Sequence, residues 1–176
     1  MILRIKTKWV VNSLLLLVIG ICNSCGVYSF TGTNIGSDIR TISIQSFENA
    51  SGEGPANLTQ LITNNFKQYY SRNTNLTILQ RDGDLQLEGQ IVSFSVAPAA
   101  IQREGNQDQA SLNRLTLAVQ VRFTNTKDPE ADFDQQFTIS QDFSREIDVT
   151  QISTNDINQL SERLIADVFT KSVANW

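Results

Sequence analysis

The stretch LNRLTLAVQVRFTNT, residues 112–126, decides the fold. Leu115, Leu117, Val119, Val121 and Phe123 share one parity, and Arg114, Thr116, Ala118, Gln120 and Arg122 share the other. Successive side chains of a strand point to opposite faces, so the stretch reads as one long strand. Its apolar face turns in to a core and its polar face turns out.

Downstream, KDPEAD (127–132) reads as a turn. Phe133, Phe137, Ile139 and Phe143 mark the next strand on a single parity. Gln135 and Gln141 interrupt that apolar face, so its ends are expected to be partly exposed. Ser153 and Asp156 then stand at capping-box spacing, with Asp in place of the usual Glu. Ile157, Leu160, Leu164, Ile165, Val168 and Phe169 recur at helical spacing to about residue 173.

Upstream, Leu85, Leu87, Gly89 and Ile91 lie on one strand face, whereas Val92, Phe94 and Val96 lie on the other. The phase slips at Ile91–Val92, beside Gly89, which predicts a β-bulge or sharp bend. APAAIQREGNQDQAS (97–111) reads as a long polar connection. NLTILQRDGD (75–84) reads as a short strand ending in Asp82-Gly83, and that dipeptide predicts a tight hairpin with the strand that follows. IRTISIQSFEN (39–49) reads as a strand with Ile42 and Ile44 on one side and Phe47 closing it. Pro55 suits the first position of a helix, and Leu58, Leu61, Ile62, Phe66, Tyr69 and Tyr70 make that helix amphipathic over roughly 55–72. The order is strand, helix, several long strands, helix. It predicts an α+β, two-layer domain: a mostly antiparallel or mixed β-sheet of about four to five strands, with two helices packed on one face.

The first 25 residues carry a different signal. Arg4, Lys6 and Lys8 precede an apolar run, Leu14 to Ile21, and then Cys22-Asn-Ser-Cys25. A basic start, a short apolar segment and a small-residue boundary describe an export signal, and the run is too short to span a bilayer. A redox C-x-x-C would open a helix within a βαβ pattern, and a zinc site would need further Cys or His ligands; this chain has no His and no third Cys. Ser24 before Cys25 fits a bacterial lipoprotein signal of loose form, with Cys22 where Leu is usual. Residues 1–24 are thus expected to be a lipoprotein signal peptide, Cys25 to be acylated, and 25–38 to be a lipidated tether. Within that tether Tyr28 and Phe30 alternate and could add an edge strand. Residues 39–176 are expected to form a single α+β periplasmic domain. Several acyl chains on one cysteine suffice for stable membrane attachment. Gly26 after the cysteine, rather than Asp, points to the outer membrane with the domain facing the periplasm.

Arg4, Lys6 and Lys8 are three of the 14 basic residues, and none of the 18 acidic ones precedes Cys25, so the remainder carries 11 basic against 18 acidic residues, a formal charge of −7. That balance argues against nucleic acid and against broad capture by anionic lipid. With no His and no free Cys, the part beyond Cys25 lacks the parts for Ser-His-Asp, Cys-His or His-metal chemistry. Asp82, Asp84 and Asp128 read as turn residues first. No catalytic residue, metal site or cofactor is expected, apart from the acyl chains on Cys25. The pattern is that of a binding or assembly protein.

Three features carry a resemblance. CGVYSFTG (25–32) is similar to the lipidated start of the lipopolysaccharide-assembly lipoprotein family LptE, in its Bacteroidetes-type form. IRTISIQSFENAS (39–51) resembles that family's first core strand, ending in Phe-x-Asn, and the strand–helix–strands–helix order covers the rest. The resemblance implies an outer-membrane lipoprotein that plugs and helps assemble a LptD-type β-barrel and passes lipopolysaccharide to the outer leaflet, without covalent chemistry. It also implies basic residues that meet lipid phosphates. Arg103, Arg114 and Arg122 are the candidates here, because a guanidinium holds phosphate through two parallel hydrogen bonds. The same arginines read equally as solvated residues, and the Gln-, Thr- and Ser-rich outward face as a surface against a polar barrel lumen. A strand ending in Phe-x-Asn before a helix also fits non-enzymatic lipoproteins of other envelope machines, such as cell-wall synthase activators or secretion-pore components. Such activators usually carry a long linker, whereas only residues 26–38 separate Cys25 from the first strand here.

Overall fold

The structure is a computed structural model that describes residues 35–99, 112–144 and 152–174. The expected signal peptide (1–24), Cys25, most of the 25–38 tether with Tyr28 and Phe30, and Arg103 lie outside the described residues. The elements are β1 (Thr41–Ile44), β2 (Glu48–Asn49), α1 (Leu58–Asn73), β3 (Thr77–Leu79), β4 (Leu85–Pro98), β5 (Leu112–Asn125), β6 (Phe133–Ser144) and α2 (Thr154–Val173). A 3-10 turn at Pro129–Ala131 joins β5 to β6.

The sheet runs β3-β1-β4-β5-β6, with β2 pairing to β4 beyond the end of β1. β1 is parallel to β3 and β4, and β2 is parallel to β4, whereas β4, β5 and β6 form an antiparallel meander. Both helices close one face. Leu58, Ile62, Phe66 and Tyr70 of α1 join Leu160, Leu164, Ile165 and Val168 of α2 over the inward side chains of β1, β4 and β5. Leu115, Leu117, Val119, Val121 and Phe123 are all buried. The α+β two-layer expectation, with a mixed sheet under two helices, is met.

The phase slip in β4 is a bulge. Pairing with β5 shifts between Ile91 and Ser93, so Phe94 turns to the same core as Leu85, Leu87 and Ile91, and Val96 packs against it. One extra residue keeps both apolar runs of a fourteen-residue strand on one side. The Ser153 cap also forms: its Oγ accepts from the Asp156 amide at 3.2 Å while Asp156 Oδ2 accepts from the Ser153 amide at 3.1 Å.

Four expectations are corrected. Residues 39–49 form two short strands rather than one, because the chain turns at 45–47 to drive Phe47 into the core. There the ring stacks on Phe66 at 4.5 Å and occupies the place a side chain on Gly89 would need. α1 begins at Leu58, and Pro55 stands before it as the acceptor for the Leu58 amide at 2.9 Å. β4 continues to Pro98, into the stretch read as connection. Finally, β3 and β4 do not form a hairpin, because β1 lies between them. Asp82 takes the left-handed region with φ 57, but Gly83 does not. Gly83 is required for space: a Cβ there would collide with the β1 backbone at Ile42 and Ser43, over which the chain crosses.

Candidate functional site

The face of the sheet away from the helices is open and polar. β4 presents Gln86, Glu88, Gln90, Ser93 and Ser95 to it; β5 presents Arg114, Thr116, Gln120 and Arg122. The register sets Glu88, Arg122 and Asp134 in one row across β4, β5 and β6, and Gln90, Gln120 and Gln136 in the next. Ser95, Thr116 and Ser140 follow further along, and Arg114 stands beside Asp142 towards the other end. The face is therefore a band of amides and hydroxyls bounded by two Arg–Asp pairs.

Arg114 grips Asp142 through two bonds, Nε to Oδ1 at 2.6 Å and Nη2 to Oδ2 at 2.9 Å. Arg122 reaches Asp134 through Nε to Oδ2 at 3.3 Å, and the Gln120 amide donates to the other oxygen of the same carboxylate. These partners hold both carboxyls below the ordinary Asp range: Gln120 first and then Arg122 for Asp134, and Arg114 for Asp142. The bond to Asp142 in turn raises Arg114. Exposed pairs of this kind contribute little stability. Their effect is on charge and register.

The two arginines share one surface, as their parity predicts. Eight residues of strand separate them by about 27 Å, so the fold does not bring them together around one ligand. Their carboxylate partners were missed in the sequence reading, although a signal existed. Arg114 and Arg122 are eight apart on β5, Asp142 and Asp134 are eight apart on β6, and one antiparallel register satisfies both.

Where β1 gives way to β2, a hollow of about 280 Å³ opens on this face between Gln45, Ser46, Glu88, Gln90 and Arg122. Gln45 Nε2 donates to Glu88 Oε1 across its floor at 2.6 Å. A second hollow of about 300 Å³, near the end of β5, is lined by Asp128, Glu130, Asp132 and Lys171. Two of its carboxylates serve the turn: Asp128 Oδ1 accepts from the Glu130 amide at 3.2 Å and Asp132 Oδ1 from the Asn125 amide at 2.7 Å. Among the described residues no group of three Cys, Asp or Glu side chains is placed to hold a metal, and no helix is long and apolar enough to cross a membrane.

Asn49 of the Phe-x-Asn stretch is equally local in its work. Its Oδ1 accepts from the Ser51 amide at 3.1 Å and its Nδ2 donates to the Glu53 carbonyl at 2.9 Å, which shapes the loop into α1. The motif is thus explained by packing and loop geometry.

The fold and this face define a class: a small α+β domain, helices on one side, with a flat, polar, charge-paired sheet surface on the other. The chain belongs to the lipopolysaccharide-assembly family LptE, whose family model matches residues 39–172. That family is one of assembly proteins rather than enzymes. Among solved structures, a hypothetical protein from Chlamydia trachomatis is similar with a TM-score of 0.51 at 10% identity, covering 77% of this chain and 99% of that one. A protein described as a neuraminyllactose-binding hemagglutinin homolog from Helicobacter pylori reaches 0.50 at 11% identity, covering 82% and 88%. At such identities the likeness is one of fold alone. No curated protein matches the chain.

Proposed function

We propose that this chain is an outer-membrane lipoprotein, anchored by acyl chains on Cys25 after removal of residues 1–24. Its 39–176 domain faces the periplasm, seats inside a LptD-type β-barrel and helps assemble it, so that lipopolysaccharide reaches the outer leaflet. The family match over 39–172 carries this reading. The open sheet face supports it physically. A barrel lumen is polar, and a surface of amides and hydroxyls, with its arginines already held by Asp142 and Asp134, suits contact with it. No cofactor beyond the acyl chains enters the role.

Lipopolysaccharide meets the domain through arginine. Of the two candidates among the described residues, Arg122 is the better for phosphate: its ion pair is the longer, 3.3 Å, and its side chain is 65% exposed, against 2.6 Å and 52% for Arg114. A phosphate there displaces Asp134. Arg103 is proposed for the same role.

The test is purification of the full chain in mild detergent, with partners identified by mass spectrometry. The expected result is one large outer-membrane barrel in near-stoichiometric amount. Recovery of a cell-wall synthase or a secretion pore in its place overturns the barrel reading.

A further inference from the structure

The hollow beside Arg122 has a charge pattern that a bare phosphate does not answer. Glu48, Glu88 and Asp134 line it against a single arginine, an excess of two negative charges. Arg122 is paired to Asp134, but among the described residues neither Glu48 nor Glu88 is paired to a cation. Glu88 accepts only from the neutral Gln45 amide, at 2.6 Å. Arg103 and Arg145 follow the far ends of β4 and β6, about 25 Å or more along the strands from this hollow.

The sheet fixes where the charges stand. The Asp134 carboxylate marks an anion position, because Arg122 Nε and Gln120 Nε2 both donate to it. Glu88 lies directly opposite Arg122 in the β4–β5 pair, and Glu48 is in register with Gln90 on the same face. Opposite residues of an antiparallel pair stand about 5 Å apart. An anion held by Arg122 is therefore one strand spacing from a carboxylate that lacks a cation. A ligand that answers the whole hollow carries both charges at about that separation.

We propose that the hollow binds an ethanolamine-bearing phosphate. The phosphate takes the place of the Asp134 carboxylate on Arg122 and Gln120, and the primary ammonium enters between Glu48 and Glu88. The two-carbon arm between them spans about one strand spacing, ~5 Å. An ammonium has three N–H donors. Two go to the carboxylates, and the Ser46 hydroxyl or the Gln90 side-chain carbonyl accepts the third. A hollow of about 280 Å³ has room for the whole group. A quaternary ammonium has no N–H to donate and is held instead by aromatic faces, and the described lining contains none. The inference rests on the reading of Arg122 as a phosphate ligand and says which phosphate it selects. Inorganic phosphate meets the same arginine but only adds negative charge beside two carboxylates that still lack a cation.

Titration of the purified full chain in neutral detergent, followed through the NMR shifts of its glutamine side-chain amides, tests this. Ethanolamine phosphate is expected to bind about tenfold more tightly than inorganic phosphate, and more tightly than phosphocholine, since a hydrogen bond between charged groups is worth at least that factor. Glu48→Gln combined with Glu88→Gln keeps the shape of both side chains and is expected to remove the preference while phosphate still binds. Arg122→Ala is expected to weaken both ligands. Equal affinity for the two phosphates, or a preference that survives the double substitution in a chain of unchanged circular dichroism, overturns the inference and leaves Arg122 a plain phosphate ligand. Binding of neither, or binding untouched by Arg122→Ala, overturns the Arg122 reading as well. Competition then separates the sources of the group. Displacement by phosphatidylethanolamine in mixed micelles assigns it to a membrane lipid. Displacement by lipopolysaccharide that carries ethanolamine phosphate, but not by lipopolysaccharide without it, assigns it to the transported glycolipid. Displacement by neither overturns the proposal.

Discussion

β1, β2 and β3 are four, two and three residues long, whereas β4, β5 and β6 run for fourteen, fourteen and twelve. The two parts of the sheet are held by different means. In the long antiparallel part, stability is spread along ladders and alternating side chains, and no single contact decides the arrangement. The short parallel part depends on a few points. Asp84 Oδ2 accepts from the amides of Arg40 and Thr41, each at 3.0 Å, and from Thr41 Oγ1 at 2.8 Å. The Asp84 carbonyl accepts from the Thr126 amide at 2.9 Å, so one residue joins the starts of β1 and β4 to the end of β5. Phe47 fills the gap over Gly89, and its amide donates to Thr63 Oγ1 of α1 at 3.0 Å. Where strands are too short to support themselves, point contacts set the topology.

The contrast can be broken by mutation. Phe47→Ala is expected to have the largest effect, a loss of about 3–5 kcal/mol in urea unfolding followed by circular dichroism. Phe143→Ala, on the half-exposed edge strand, is expected to cost less than half as much; equal losses would erase the distinction. A smaller, pH-dependent effect is expected at Asp84, whose carboxyl is drawn down to about 2 from an ordinary 3.8, chiefly by the Arg40 amide and the Thr41 hydroxyl. A depressed carboxyl stabilises the fold above its unfolded value and loses that contribution as pH falls through the folded one. Asp84→Asn should therefore lower Tm at neutral pH, and the gap to the unaltered chain should narrow between about pH 4 and pH 2. The lowered carboxyls of Asp134 and Asp142 are common to both proteins and cancel in that difference. The smallest effect belongs to the open face. Arg122→Ala is expected to leave Tm unchanged within the error of a calorimetric scan while weakening lipopolysaccharide capture; a clear drop in Tm would make Arg122 part of the fold's framework instead.

The same division governs what can be read from residues alone. Alternation is local information, so β5, the core face of β6 and the bulge in β4 are legible within a dozen residues each. The Ser153–Asp156 cap is legible for the same reason. The place of β1 is not local. Asp82-Gly83 carries the composition of a hairpin turn, but the strand beside it in space begins at Thr41, some forty residues earlier in the chain. Nothing in the dipeptide distinguishes a glycine needed for its backbone angle from one needed because another backbone passes beneath it. On the site, parity placed Arg114 and Arg122 on one face correctly. What the residues did not disclose is that each has a carboxylate already attached, since that depends on the register of β6.

One feature of the topology bears on mechanics. Among the described residues β1 is the first strand of the sheet in sequence, and it lies inside the sheet, hydrogen-bonded to β3 on one side and β4 on the other. A pull arriving through the N-terminus is delivered along the axis of that strand. Such a load shears two ladders at once instead of peeling an edge bond by bond, and it first meets the Asp84 carboxylate that holds residues 40 and 41. A domain tethered by its N-terminus thus takes tension in shear, on the few contacts that hold residues 40 and 41.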